Sequence, residues 1–398
     1  MAELKPGWRR VKFGDVVRLN KETCKDPAAE GLERYVGLEH LEPGDLRVRS
    51  WGNIADGTTF TNRFRPGHVL FGKRRAYQRK VAVVSFDGVC SGDIYVLESK
   101  DRHVLLPELL PFLCQTDAFF DHAVGTSAGS LSPRTNWGSL AAYQFALPPL
   151  DEQERLVRVL SASAATEERI AELVQANEVL LQSATDEHMR RIQDQAVPIS
   201  MLVENLVLCR PQDGNHGGRH PKACDYVEDG VPFLMASDIR RGVVDLRDCK
   251  RISRELAGSL RADFRATNGD ILLTHKGTLG ESAVLDGLAE PYAMLTPQVT
   301  YYRVKDTSRL VPRFLLFALR SSDFRRQLEA HGRQSTRAFV SIAAQAKLEV
   351  PWPSPGHQDR VASDLQAISQ SLDLAMTRQR AMKQISKALL ELALAGAT

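Results

Sequence analysis

The sequence predicts a mixed α/β (α+β) chain in which one unit is used twice, each copy a strand-rich region followed by a long helix. Three observations carry this expectation. Short phrases recur in the same order about half the chain apart. Each half holds short apolar runs broken by Gly and Pro, and each closes on a long proline-free stretch with apolar residues at helical spacing.

A chain of 398 residues exceeds what one core usually supports, so more than one domain is expected. A hydrophobic share of 43% and a charged share of 25% describe an ordinary globular protein. The net charge of +3, with a pI near 8.5, permits nucleic-acid binding through local patches without requiring it. The six cysteines form no C-x-x-C pair and the opening MAELKPGWRR lacks an apolar signal core, so free thiols in a reducing cytoplasm are expected. No run of 18 apolar residues is present, which argues against a membrane-spanning helix.

The repeat is read outward from GSLSPR (129–134) and GRQSTR (332–337), which both fit G-x-x-S-x-R. Upstream, GHVLF (67–71) resembles GDILL (269–273), and YVGL (35–38) resembles FLMA (233–236). LLPELLPFLCQTDAF (105–119) pairs with LVPRFLLFALRSSDF (310–324); both read as helices opened by a proline and stopped near an Asp. Downstream, FALPPLDEQERLVRVL (145–160) pairs with LEVPWPSPGHQDRVASDL (348–365), setting Gln153 against Gln358 and Leu156 against Val361. The offsets drift from 198 to 206, as small loop insertions would produce, and such a duplication implies two-fold pseudo-symmetry within one chain.

Strands are expected at Val81–Val84 and Gln298–Tyr302. Proline-rich hinges at Pro148-Pro149 and Pro351–Pro355 then lead into the helices. The second helix is expected over Asp359–Leu394, with a seam at 361, 365, 368, 372, 375, 382, 385, 389 and 392. The first is expected over Asp151–Gln195, with Leu156, Leu160, Ile170, Leu173, Leu180 and Ala184 on its seam. At 1.5 Å per residue each spans about 50–65 Å, and two such amphipathic helices are expected to pack on each other as a coiled coil. The resulting division is 1–150, 151–196, 197–355 and 356–398.

Catalytic signatures are missing. HKGT (275–278) follows a strand but lacks the glycine spacing of a phosphate loop, no G-x-G-x-x-G occurs, and ALPPL is not a base-gripping Asn/Asp-Pro-Pro-aromatic motif. Cys209, His216, His220 and Cys224 could in principle ligate zinc, but the intervening Gly-rich NHGGRHPK and the absence of a counterpart in the first copy argue for no metal.

Binding chemistry is better represented. Lys73, Arg74, Arg75, Tyr77, Gln78, Arg79 and Lys80 form a basic run with an aromatic and an amide, suited to phosphates and to base edges. His275, Lys276 and Thr278 hold the matching place in the second copy. Ser132 and Arg134, and likewise Ser335 and Arg337, can grip a backbone phosphate, or the serine can cap a helix while the arginine forms an ion pair; both readings stay open. Arg219, Arg240, Arg241 and His40 are weaker candidates.

Taken together, the chain resembles type I restriction–modification specificity (S) subunits. GDILLTHKGTLG (269–280), LPPLDEQERLV (147–157) and the G-x-x-S-x-R loop carry the resemblance. It implies two target-recognition domains in tandem, separated by two long antiparallel helices, in a subunit that is not itself an enzyme. It further implies double-stranded DNA as ligand, two methyltransferase subunits bringing S-adenosylmethionine chemistry to adenine N6, and motor subunits using ATP and Mg2+ for translocation and cleavage in phage defence. Two recognition domains on one face of a duplex need half-sites roughly one turn, about 34 Å, apart. Because the copies differ, a bipartite asymmetric target is expected. The second copy departs from the pattern, with WPSPGHQDR in place of PLDEQER and no KRRAYQRK-like run. A DNA-binding protein of another defence or solitary methylation system, or a coiled-coil scaffold without DNA binding, are the competing readings.

Overall fold

In the computed structural model, which describes residues 4–214, 220–240, 242–332 and 339–395, the chain forms two compact units. One comprises Met1–Ala171 with Arg378–Thr398, the other Glu172–Thr377. The duplication is visible in the sheets. The first unit has a four-stranded sheet in the spatial order Val17–Leu19, Ile94–Ser99, Val69–Gly72, Val81–Val83. Its counterpart in the second runs Gln212–Asp213, Val299–Tyr302, Ile271–Lys276, Thr278–Val284. A second sheet in the order Gly52–Asn53, Arg34–Val36, Gly88–Cys90, Asn62–Phe64 is matched by Lys250–Ile252, Tyr226–Leu234, Ala293–Leu295, Arg265–Ala266. A short antiparallel pair, Arg9–Lys12 with Gln144–Leu147, recurs as Ala196–Pro198 with Glu349–Pro351.

Register is kept as well as order. Tyr35 and Val36 run parallel to Val89 and Cys90, as Phe233 and Leu234 do to Met294 and Leu295. The 35-to-233 step matches the offset of YVGL and FLMA. Val69–Phe71 and Ile271–Leu273 are buried throughout, which is why these strands read as unbroken apolar runs and not as alternating ones.

The helical segments before the hinges differ from expectation. The helix expected over 105–119 is two, Leu110–Leu113 and Asp117–Gly125; over 310–324 a helix Pro312–Arg320 is followed at once by Ser322–Gly332. Asp117 and Asp323 stand in the first turn of a new helix and do not stop the old one. The caps immediately before are the signal: Thr116 Oγ1 accepts from Phe119 N, and Ser321 Oγ from Phe324 N. These helices bring Phe119 and Phe120 against Phe13 and Phe71 in the first core, and Phe314, Phe317 and Phe324 into the second with Tyr302.

The long helices span Leu150–Arg191 and Pro355–Leu394, the second opened by a proline whose missing N–H is not needed there. In the first unit Ser163 Oγ lies 2.7 Å from Ser386 Oγ, and Leu156 and Leu160 share a core with Leu389 and Leu390. In the second unit Val174 packs with Leu372 and Ala375, and His188 approaches Asp364. Rising numbers on one helix meet falling numbers on the other, so within each unit the pairing is antiparallel. The buried positions Gln153, Leu156, Leu160, Ser163, Val174 and Asn177 follow a three–four alternation that fits a coiled-coil seam.

That seam is the expected one only in part: Leu156, Leu160, Val361, Leu365, Leu372 and Ala375 are buried as expected. Leu173, Leu180, Ile385 and Leu392 are exposed, while Ser163, Asn177 and Thr185 are buried. Two of these polar residues are satisfied within their own helix, Asn177 Nδ2 donating to Leu173 O and Thr185 Oγ1 to Leu181 O, while Ser163 meets Ser386 across the pair.

Candidate nucleic-acid interface

Residues 73–80 connect the strands Val69–Gly72 and Val81–Val83 as a broad hairpin tip. Arg75 and Arg79 bracket a single helical turn, Ala76–Gln78, with φ of 54° and 56°. Left-handed backbone is costly for non-glycine residues, so the surrounding contacts must hold it. They do. Ala76 is buried beneath the turn, Arg79 pairs with Asp117 at 2.7 Å, donates to Gln115 O and lies over the Phe120 ring. Lys80 Nζ donates to Leu38 O at 2.7 Å, and Lys73 Nζ stands 4.8 Å from the centre of the Tyr95 ring. Gln78 is half-buried, and Tyr77, 56% exposed, is the one residue of the run that is open to solvent.

The GSLSPR segment folds directly onto this tip. Arg75 N donates to Pro133 O at 2.7 Å, Thr135 N to Lys73 O at 3.0 Å, and Arg74 and Arg134 stand opposite each other as a β-bridge. Ser132 Oγ accepts from Arg74 Nη2 at 3.1 Å and from Arg75 Nη2 at 3.4 Å. It caps no helix: the nearest, Trp137–Ala141, is capped by Asn136, whose Oδ1 accepts from Ser139 N at 2.8 Å. Of the two readings left open by sequence, capping therefore fails for Ser132, while an ion pair for Arg134 is present. Arg134 Nε lies 2.8 Å from Asp93 Oδ1, and Arg74 Nη1 lies 3.3 Å from Asp93 Oδ2. Burial pushes the Asp93 carboxyl up, but the hydrogen bonds and charges of Arg134 and Arg74 outweigh it and hold the group below the ordinary carboxylate value. Two stretches distant in sequence thus form one cluster of three guanidiniums, a hydroxyl and a carboxylate. Asp93 was not found by sequence reading, because nothing in SGDI marks a carboxylate that will meet arginines 19 and 41 positions away.

In the second unit the ladder is the same and the side chains are not. Val340 N donates to His275 O, and Lys276 stands opposite Phe339. The turn is made at Gly277, φ 83°, with Thr278 exposed beside it. His275 is fully buried, its Nδ1 2.9 Å from Val340 O and its ring 5.5 Å from Phe339. Lys276 Nζ lies 5.8 Å from the centre of the same ring. By this register Arg134 corresponds to Phe339, two residues beyond the position that the G-x-x-S-x-R match assigns. Ser335 and Arg337, with Arg219, Arg241 and His216, lie outside the described residues. Among the described residues no group of His, Cys, Asp or Glu is arranged to hold a metal, and no helix is long and apolar enough to cross a membrane.

Residues 6–175 match the family model described as the type I restriction modification DNA specificity domain. Over 161 residues the chain is 31% identical to the type I restriction enzyme EcoDI specificity subunit of Escherichia coli, covering 38% of this chain and 33% of that protein. It is 22% identical over 241 residues to the EcoBI specificity subunit of the same organism, covering 54% and 49%. The chain thus spans about a third to a half of the curated relatives it matches. Among solved structures, the type I restriction–modification S subunit from M. genitalium has a TM-score of 0.61 at 14% identity, over 98% of this chain and 97% of that one. A chain from a structure of type I restriction–modification complex assembly has a TM-score of 0.55 at 20% identity, over 99% of both. At these identities the structural likeness bears on fold, and it spans both copies. A match to the specificity-domain model over residues 6–175, the same sheets built again in the second unit and a fold shared over nearly the whole length make the chain similar to type I restriction–modification specificity subunits.

Proposed function

We propose that this chain is the non-catalytic DNA-recognition subunit of a type I restriction–modification complex, each strand-rich region reading one half of a bipartite, asymmetric target. The observation that carries the proposal is the convergence of residues 73–80 and 128–135 on one hairpin tip, where Arg74 and Arg75 meet Ser132 and Arg134 shares Asp93 with Arg74. Clustered guanidiniums on a braced tip suit phosphate contact and guanine edges. Lys73, Tyr77, Gln78, Arg79 and Lys80 belong to the same tip, with Arg79 and Lys80 bracing it from within. In the second unit Lys276 and Thr278 hold the matching place, and His275 supports it from the core.

On this reading the catalytic work belongs to partners. Two methyltransferase subunits carry S-adenosylmethionine to adenine N6, restriction subunits use ATP and Mg2+, and the complex acts in the cytoplasm. The long helices serve as the dock for the methyltransferases.

The test is co-expression of the full chain with a methyltransferase encoded beside it, followed by genome-wide mapping of N6-methyladenine. A two-part asymmetric motif with an unread spacer is expected. Neither methylation nor salt-dependent binding of duplex DNA, with the chain alone and with the methyltransferase, would overturn the proposal.

A further inference from the structure

The loop carrying Ser132 and Arg134 presents a side chain that its polar chemistry does not explain. Leu131 is 90% exposed, the most exposed large apolar residue among the described residues. A lone surface leucine is ordinary in itself. This one differs in what surrounds it and in how firmly it is held. Its loop is closed by reciprocal hydrogen bonds between Ala128 and Arg134, both 3.0 Å, and turns at Gly129 with φ 111°. It is bound to the hairpin tip through Arg75 N and Pro133 O, and through the two guanidiniums on Ser132, the residue next to Leu131. On the abutting loop the exposed Tyr77 stands two positions from that same Arg75. The result is an exposed apolar residue on a loop hydrogen-bonded to the tip that carries Arg74 and Arg75, with Arg134 in the same loop.

We infer that Leu131 is a wedge: with the arginines on the flanking phosphates, its side chain enters the duplex at one base step of the first half-site and loosens the stacking there. This rests on the DNA-recognition reading above and adds a specificity-determining residue to it. Apolar side chains inserted between base steps unstack them, and the cost depends on the step, so the wedge selects a deformable pyrimidine–purine step without forming a hydrogen bond to it. Bracing matters because a flexible loop would lose ordering entropy on insertion, whereas this loop is already held. Burying the leucine on the base stack then recovers the free energy of an exposed apolar group.

The test uses the full chain in complex with the methyltransferase that yields the methylation map. Duplexes carry 2-aminopurine at successive positions of the first half-site, leaving out the methylated adenine so that a flipped base adds no signal. The wild-type complex is expected to raise the fluorescence at one step. Leu131→Ser should abolish that rise and weaken binding on the order of tenfold, while the slope of affinity against salt and the thermal midpoint stay as in the wild type. Leu131→Met should keep both the fluorescence and the affinity. Arg134→Ala, in contrast, should lower the salt slope by about one. The wedge is refuted if Leu131→Ser binds and unstacks like the wild type, or if its loss of affinity comes with a lower salt slope. Failure of the wild-type complex to bind duplex at low salt would instead remove the DNA-recognition reading beneath it.

Discussion

In the first unit eight residues, Lys73 to Lys80, cap the hairpin between Val69–Gly72 and Val81–Val83, whereas in the second the same hairpin turns at Gly277. Beneath both tips the main-chain ladder is common: Lys73 N donates to Asp93 O and His275 N to Gln298 O, while Thr135 N and Val340 N return to the same two residues. Along it the first unit places Arg74, Asp93 and Arg134, a charged cluster. The second places Lys276, Gln298 and Phe339, a cation over a ring with no carboxylate among the three. Fold and tip have therefore been held to different standards. The ladder is common to both units and the tip chemistry differs between them, which is what the proposed reading of two different half-sites requires.

The retained part makes the largest prediction. Gln153 Oε1 accepts from Leu106 N, and its Nε2 donates to Val104 O and Pro148 O, all at 2.9 Å. Gln358 repeats this with Val311 N at 2.8 Å, Arg309 O at 3.0 Å and Pro353 O at 2.7 Å. Every partner is shifted by the same 205 positions, and both amides are buried. Each glutamine ties the start of a long helix to the segment before the paired short helices. Gln153→Ala and Gln358→Ala should each remove three hydrogen bonds to backbone groups, one of them fully buried, and cost about 3 kcal/mol, read as the shift in urea midpoint. Clearly unequal losses would mean that the two units are not equivalent where they look most alike.

The same pair shows what the sequence makes legible. Gln153 and Gln358 align because order survives wherever the backbone does the same task twice, and the strands and long helices were legible for that reason. Three things were not. Apolar spacing selected Leu173 and Leu180, yet the seam is completed by Ser163, Asn177 and Thr185; Asn177 and Thr185 bond carbonyls of their own helix and Ser163 meets Ser386 on the other, so all three tolerate burial. The second short helices were hidden because Asp117 and Asp323 were read as stops when Thr116 and Ser321 had already begun new helices. The candidate site was half legible. Both polar phrases stood out, but their meeting through Asp93 depends on strand pairing, and the G-x-x-S-x-R match misplaced the ladder by two residues.

The diverged part predicts effects confined to one half-site. Arg75→Ala removes a guanidinium that, among the described residues, bonds Ser132 at 3.4 Å. Arg74→Ala removes one shared with Asp93 and Ser132. Each should weaken binding by about 1–3 kcal/mol and relax discrimination in the first half-site, with the second unchanged. Lys276→Ala should do the converse. Competition with duplexes mutated in one half-site at a time reads this directly; equal losses at both would assign these residues to general phosphate contact.

The smallest effect sharpens the comparison through pH. The Asp93 carboxyl is pushed up by burial but lowered further by Arg134 and Arg74, so its folded pKa lies below the unfolded value. A group depressed in this way contributes stability above its unfolded pKa and loses it as pH falls through the folded one. Protonation would release Arg134 and Arg74 from their shared partner and loosen residues 128–135 against the tip, while Gln298 gives the second unit no such titration. Hydrogen exchange of the Thr135 and Val340 amides, compared between neutral pH and pH about 3, separates the two. After correction for intrinsic exchange, Thr135 should lose more protection than Val340. Asp93→Asn should abolish that difference at neutral pH by loosening Thr135 there already. Equal losses in the wild type would show that the backbone ladder alone holds both tips, and that the carboxylate orients arginines without bracing the loop.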